Sequence, residues 1–342
     1  MKNNHTKPHV SLITPMYNEA NNIQINIAMI LKAMESFPVS WEYILVDDGS
    51  TDDSYSRAAE ALKEKPNCRI IRYSRNRGRG FALRQGFDAA RGFFIITTES
   101  DLSWGPEIII KLYEALQNSE SDIVIASVHL PGGGLENVPL ARRLLTSWGN
   151  AIMRPAFGGK LTMLSGMTRA YRREVIDHIY FEQNDKEIHL EIVEKAKALG
   201  FSITEIPATI SWAPGDSVAK RSSGMSMAKF VVPHLTMSFN QGAVRFLAWT
   251  TLCTLAVGIL FSVVSILNKF LLLPLPPMPY LLTYGLVLIA ISIISAMFGL
   301  LSIQISFIRR SVFFLQSELK QISRANREYD DHSEADSTNN MR

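Results

Sequence analysis

Val46-Asp47-Asp48-Gly49-Ser50-Thr51-Asp52-Asp53 is the stretch that decides the fold. It closes the apolar, β-prone run Tyr43–Val46. Two similar endings flank it: Thr14-Pro15-Met16-Tyr17-Asn18-Glu19 after Val10–Ile13, and Thr98-Glu99-Ser100-Asp101-Leu102 after Phe93–Thr97. Short apolar runs bounded by turn-forming residues read as strands. In a doubly wound α/β sheet, side chains leaving the strand ends converge on one crevice, and ligands bind there. Carboxylates would line this crevice, which suits a divalent cation holding a diphosphate.

Between the strands the periodicity becomes helical. Ile23, Ile27, Ile30 and Leu31 share one face of a helix running from about Ala20 to Ser36,. The strand Tyr43–Val46 leads into a helix capped by Ser50, Thr51 or Asp52. Arg69–Tyr73 is a third strand, Gly80–Arg91 a helix and Phe93–Thr98 a fourth strand. Pro106 opens another helix, where its missing donor is tolerated, and Ile123–Ala126 is a fifth strand. Pro131-Gly132-Gly133-Gly134 reads as a flexible loop of the kind that covers active sites. Beyond it the pattern predicts helix Leu140–Met153, a short strand near Ser165–Met167, helix Glu187–Leu199, and strand Phe201–Ile206 closed by Pro207. This alternation predicts an α/β fold with a mostly parallel sheet.

A chain of 342 residues has room for such a domain and something more. The net charge of +3 is too small to argue for nucleic acid. Cys68 and Cys253 fall in a strand and an apolar helix, so no disulfide framework is implied. Met1 to His9 is polar and runs straight into a strand. No cleaved signal is visible, and the first half is expected on the cytosolic side.

Apolar residues concentrate after Gly242. Phe246–Leu267 and Tyr280–Ile308 are uncharged for about 22 and about 29 residues, against the roughly 20 that a spanning helix requires. Both should therefore be helices, because lipid leaves backbone groups no other partners. Arg245 precedes the first span and Arg309-Arg310 follows the second, whereas the proline-rich loop Asn268–Pro279 offers only Lys269. The positive-inside bias then places both ends in the cytosol. Met225–Val244 is amphipathic, and either lies in a membrane interface or closes the domain. Ser311–Ile322 could continue as an amphipathic helix, and Arg324–Arg342 reads as polar and disordered.

Asp47 and Asp48 admit two meanings: ligands for a base, ribose or metal shell, or an Asp-Gly turn entering a helix. The strand ending at Pro15–Glu19 favours the first. Glu99 and Asp101, at i and i+2, can reach one hard cation; alternatively they form an acidic turn before the helix at Pro106. Arg69, Arg72, Arg75, Arg77, Arg79 and Arg84 crowd one region without the aromatic interleaving of a base-stacking platform. Asn76-Arg77-Gly78-Arg79-Gly80 instead reads as a turn into a helix whose amino end attracts phosphate. Lys220 and Arg221 precede the amphipathic segment, where they could hold a lipid phosphate or attract anionic lipid. Arg142, Arg143 and Arg172 are further candidates.

Together these residues resemble family 2 glycosyltransferases, in the branch of dolichyl-phosphate mannosyltransferase and its undecaprenyl-phosphate relatives. The likeness runs from about Val10 to Ser226. It includes Asn76, Gly78, Gly80, Ala82, Arg84 and Gly86, then Pro106-Glu107, Ser165-Gly166, Arg169 to Arg172, Glu191, Glu205-Ile206-Pro207 and Arg221-x-x-Gly224-x-Ser226.

The resemblance implies a GT-A (Rossmann-like) catalytic domain over 1–222, an interfacial segment over 223–245, two transmembrane helices over 246–310, and a helix with a polar tail over 311–342. It implies inverting transfer of one sugar from a nucleotide-sugar to a polyprenyl phosphate, with Mg2+ or Mn2+ at Glu99 and Asp101. Asp101, Glu99 and Arg221 would be catalytic. Pro15, Tyr17, Glu19, Asp47, Asp48 and Asp101 would bind the nucleotide-sugar, and Lys220, Arg221, Arg142 and Arg172 the acceptor phosphate. Self-association through the membrane helices is implied as well.

Four departures stand out: Glu99 for the usual first Asp, Ser103 for Gln, Ala126-Ser127-Val128 for Gly-Ser-Arg, and Met227 for Lys. Two rivals remain. One is a transferase to a hydroxyl, with Glu187 or Glu191 as base; the other is a non-catalytic scaffold that binds the nucleotide-sugar.

Overall fold

The computed structural model describes residues 7–140, 143, 161–212, 227–270 and 280–339. Nine strands occur among them: β1 (Val10–Met16), β2 (Trp41–Asp47), β3 (Cys68–Arg72), β4 (Phe94–Thr97), β5 (Ile123–Ser127), β6 (Gly134–Glu136), β7 (Arg169–Arg172), β8 (Ile203–Pro207) and β9 (Thr209–Ser211). Seven form one sheet in the order β3-β2-β1-β4-β7-β5-β8. All its pairings are parallel except those of β7, which runs antiparallel between β4 and β5. Every residue of β1 is buried, as expected of a central strand covered on both faces.

The helices that cover it are α1 (Ile23–Glu35), α2 (Ser54–Leu62), α3 (Arg79–Ala89), α4 (Ile108–Gln117), α5 (Arg173–His178) and α6 (Ile188–Ala198). α1 buries Ile23, Ile27, Ile30, Leu31 and Met34, the stripe its spacing requires. Each such side chain contributes about 1.5–3 kcal/mol when fully buried. The start of α2 is held by Asp52, whose carboxylate accepts the Ser54 N–H at 3.0 Å.

The sequence places most of these elements within a few residues, and three readings change. The strand expected near Ser165–Met167 lies four residues later, at β7. The glycine-rich loop ends in β6, which pairs with β9 as a separate parallel ladder. The polar tail, expected to be disordered, continues a helix to Asn339, and no Gly or Pro occurs from Leu300 onward to break it,. Most of the helix expected over Leu140–Met153 lies outside the described residues, as do Arg142, Lys220 and Arg221.

The chain divides into two compact units, the second covering Val232–Ser311 among the described residues. Helices α7 (Met227–Lys269) and α8 (Leu281–Asn339) contribute its two apolar stretches, with peak mean hydropathies of 2.2 and 2.6. Both helices are long and apolar enough to cross a membrane, and only 6 % of either stretch is buried. They meet through small and hydroxyl residues. Thr250 Oγ1 and Ser295 Oγ are 2.9 Å apart, and Gly258 lies against the Gly285 backbone. Close approach of this kind replaces the hydrophobic drive that lipid removes. Met225–Val244, read as an interfacial or closing segment, is backbone-continuous with the first apolar stretch from Met227 onward.

Candidate functional site

The strand order reverses between β1 and β4, and the parallel register brings their carboxyl ends to one edge. Met16 pairs with Asp47, and Ile13 with Thr97. The Asp48 N–H donates to Met16 O at 2.9 Å, and the Thr98 N–H to Ile13 O at 3.1 Å. Asp47–Asp48 and Glu99–Asp101 therefore leave the same edge of the sheet, at the switch point where such sheets bind ligands.

The loops after β1 and β2 are fastened together. Asn18 N–H donates to Ser50 Oγ at 3.0 Å, Glu19 N–H to Ser54 Oγ at 2.7 Å, and Thr51 N–H to Asn18 Oδ1 at 2.9 Å. Asn18 adopts φ 55°, a left-handed conformation that Asn tolerates. Tyr17 remains 43 % exposed beside this seam.

Asp47 is fully buried. It accepts the Ser50 N–H at 3.0 Å and lies 3.2 Å from Arg72 Nε. Asp48 is also buried, and accepts the Tyr73 hydroxyl at 2.7 Å, the Arg77 N–H at 2.8 Å and the Gly78 N–H at 3.1 Å. Burial, followed by this carboxylate, drives the Tyr73 phenol far above its ordinary value, so its proton stays on the bridge. Asp48 thereby pins the turn into α3. Gly78 takes φ 95° there, which only glycine adopts without strain.

Glu99 accepts Ser103 Oγ at 3.1 Å and Trp104 Nε1 at 2.9 Å through one oxygen; its other oxygen lies 3.7 Å from Arg79 Nη1. Asp101 Oδ1 accepts the Ser103 N–H at 2.9 Å, across a turn in which Leu102 has φ 50°. Burial first, and Asp101 second, raise the Glu99 carboxyl above its usual value, against the pull of Arg79. Two carboxylates that repel each other at one strand end form a hard donor pair. Among the described residues no third acid, His or Cys completes a cluster.

Residues 11–180 match the family described as Glycosyl transferase family 2. That segment belongs to glycosyl transferase family 2. Dolichol-phosphate mannosyltransferase of Pyrococcus furiosus is 33 % identical over 203 residues, which cover 58 % of this chain and 56 % of that protein. Polyprenol monophosphomannose synthase of Mycolicibacterium smegmatis is 29 % identical over 207 residues, covering 58 % and 76 %. Dodecaprenyl-phosphate galacturonate synthase of Rhizobium johnstonii is 31 % identical over 172 residues, covering 50 % and 49 %. The chain thus spans about half the length of two of these relatives. Glucosyl-3-phosphoglycerate synthase from Mycobacterium tuberculosis, solved with phosphoglyceric acid, superposes with a TM-score of 0.52 at 19 % identity, over 68 % of this chain and 80 % of that one. The family 2 domain accordingly has the GT-A fold.

Within this domain, Arg172 is not at the crevice. Because β7 runs antiparallel, Arg172 pairs with Phe94 at the opening end of β4. Its guanidinium donates to Ser121 O at 3.0 Å, Ser119 O at 2.9 Å and Leu116 O at 3.2 Å, so it holds a turn rather than a phosphate. The arginine cluster divides in the same way. Arg69 pairs with Glu42 and Arg84 donates to Phe181 O, while Arg72 meets Asp47 and Arg79 meets Glu99 at the crevice edge.

Glu191, read as a candidate base, is buried and committed. It lies 2.8 Å from Lys195 Nζ and accepts the N–H groups of Glu182 at 2.8 Å and Gln183 at 3.0 Å. Arg169 was read only as part of the family likeness, and His189 escaped sequence reasoning. Arg169 is fully buried, donating to Gly166 O at 2.7 Å, Leu164 O at 2.6 Å and His189 O at 2.9 Å. His189 has no partner at either ring nitrogen. Burial, then the charges of Arg169, Arg79 and Lys186, keep its ring neutral. Neither has a local pattern that separates it from ordinary strand or helix residues.

Proposed function

We propose that the chain is an inverting glycosyltransferase that moves one sugar from a nucleotide-sugar to a polyprenyl phosphate at the cytosolic face of a membrane. One observation carries the reading: Asp48, Glu99, Asp101 and Arg79 gather at the switch point of a family 2 domain whose chain also bears two apolar, exposed helices. All three curated relatives above are named as synthases or transferases on a prenol phosphate or monophosphate, which supports the acceptor class. The bias of Arg245, Arg309 and Arg310 over Lys269 supports both helix ends facing the cytosol. Self-association through these helices belongs to the same reading.

The donor pair fits a divalent cation. Glu99 and Asp101 would hold Mg2+ or Mn2+, and the cation would neutralise charge gathering on the departing diphosphate; a glucosyl-3-phosphoglycerate synthase of the same fold is solved with Mn2+ and UDP-glucose. Pro15, Tyr17, Glu19, Asp47 and Asp48 form the nucleotide side, with the Asp48 carboxylate fixing the turn that aims Arg79. Arg79 adds a fixed positive charge beside the leaving group, already in place before reaction. Lys220, Arg221 and Arg142 remain the candidates for gripping the acceptor phosphate. A phosphate monoester is ionised at neutral pH, so the acceptor needs orientation rather than a strong base. The commitment of Glu191 to Lys195 and two backbone amides argues against a hydroxyl acceptor, since it removes one of the two bases available for that route.

Purified full-length protein, incubated with radiolabelled nucleotide-sugars and polyprenyl phosphate, tests this. The expected result is label in the lipid phase that disappears with chelator and with Asp101→Ala. Transfer only to hydroxyl acceptors, or nucleotide binding without turnover, would overturn it.

A further inference from the structure

The segment Val312–Asn326 of α8 is packed onto the catalytic unit, and its contacts lead to the crevice. Lys320 Nζ donates to Ile176 O and Ile179 O, both at 2.7 Å, satisfying carbonyls that the end of α5 leaves open. The same ammonium stands 4.8 Å from the Phe181 ring. Gln316 Nε2 donates to Glu182 Oε1 at 3.1 Å, Arg324 pairs with Asp177, and Ser317 is buried.

The hold continues inward. Lys195, 4 % exposed, binds Glu182 at 2.9 Å and Glu191 at 2.8 Å, donates to Tyr180 O at 2.6 Å and faces the Phe313 ring at 5.1 Å. Glu191 in turn fixes the amides of Glu182 and Gln183. The next residues seat the amino end of α3: Asn184 O accepts the Phe81 N–H at 3.0 Å, and the Gln183 and Asn184 backbone lies against Gly80 and Gly78. That turn carries the amides bound to Asp48 and the guanidinium facing Glu99.

We infer that Val312–Asn326 is a working part of the donor site, with Lys320 and Lys195 as positioning residues that hold the 180–185 loop and, through it, the Arg77–Phe81 turn. The inference rests on the donor-site reading above. Every link is a packed contact or hydrogen bond within one compact unit, the kind of contiguous network that carries coupling. Lys320 touches neither Asp48 nor Glu99, so its effect must pass through the loop.

The test compares full-length wild type with Lys320→Met, Lys320→Arg and the milder Gln316→Ala, in detergent. Hydrogen exchange without ligand is read first. Lys320→Met should speed exchange of amides in both 180–187 and 77–83 by roughly tenfold, leaving β2 unchanged and Lys320→Arg near wild type. Faster exchange confined to 312–326 would overturn the inference. Titration with Mn2+ and either UDP or GDP is read second. Lys320→Met should weaken nucleotide binding roughly fivefold without changing KM for polyprenyl phosphate; equal loss on both substrates would also overturn it. If Lys320→Met fails to fold, Gln316→Ala must show the same exchange pattern at smaller size. A wild type that binds neither nucleotide refutes the donor-site reading, whereas the exchange result still decides the coupling.

Discussion

Arg79 Nη1 lies 3.7 Å from Glu99 Oε1, so the carboxylate of the expected cation pair already has a cationic neighbour. Glu99 is 24 % exposed, and its carboxyl is raised by burial and then by Asp101. A raised carboxyl favours the protonated form in the fold. Ionised Glu99 therefore costs stability as pH rises from the ordinary glutamate value through its folded value. Glu99→Gln should raise the melting temperature of the metal-free protein at pH 7 and abolish the further rise that Mn2+ produces. Thermal melts with and without Mn2+ check both signs.

Arg79→Met should move Glu99 higher still, because its one opposing cation is gone. Mn2+ binding, followed against pH, should then have its midpoint shifted to more alkaline values. An unchanged midpoint would separate Arg79 from the metal pair.

Tyr73→Phe removes the hydroxyl from Asp48 but leaves the two backbone amides in place. The expected loss is about 1 kcal/mol, roughly fivefold in affinity. It should appear as a raised KM for the nucleotide-sugar with kcat nearly unchanged.

Glu191→Gln should destabilise the protein by about 1–3 kcal/mol, because it removes one of the two carboxylates that neutralise buried Lys195 and leaves Glu182 as the other. Lys195→Met in the same chain should recover much of that loss. A general base would behave differently, with kcat falling and denaturation unaffected. Urea melts beside single-turnover rates distinguish the two.

Lys320 is pushed down from 10.5 to about 8, chiefly by burial. Between these values the unfolded chain binds more protons than the folded one, so stability should rise with pH from about 8 to about 10.5. Lys320→Met should flatten that portion of the stability profile relative to wild type.

The crevice was legible because its acids follow runs such as Val10–Ile13 and Tyr43–Val46, whose apolar character marks buried parallel strands. Asp48 and Asp101 needed only the rule that such strands end at one edge. Arg172 was misplaced for the complementary reason: nothing in Arg169-Ala170-Tyr171-Arg172 says that the strand runs backwards, and reversal exchanges which end meets the ligand. β6 and β9 have three residues each, too few for a period to register. Glu191 and Lys195 show their i,i+4 spacing in the sequence, but their burial depends on Tyr180–Gln183 and on α8, segments distant along the chain. The same holds for His189, whose surroundings come from β7 and α3.

The seam that joins Asn18 and Glu19 to Ser50, Thr51 and Ser54 has a practical meaning for redesign. Transplanting either segment alone from another transferase would leave amides and hydroxyls facing mismatched counterparts. Chimeras aimed at new donor preference should therefore exchange Tyr17–Ala20 and Ser50–Ser54 as a single cassette.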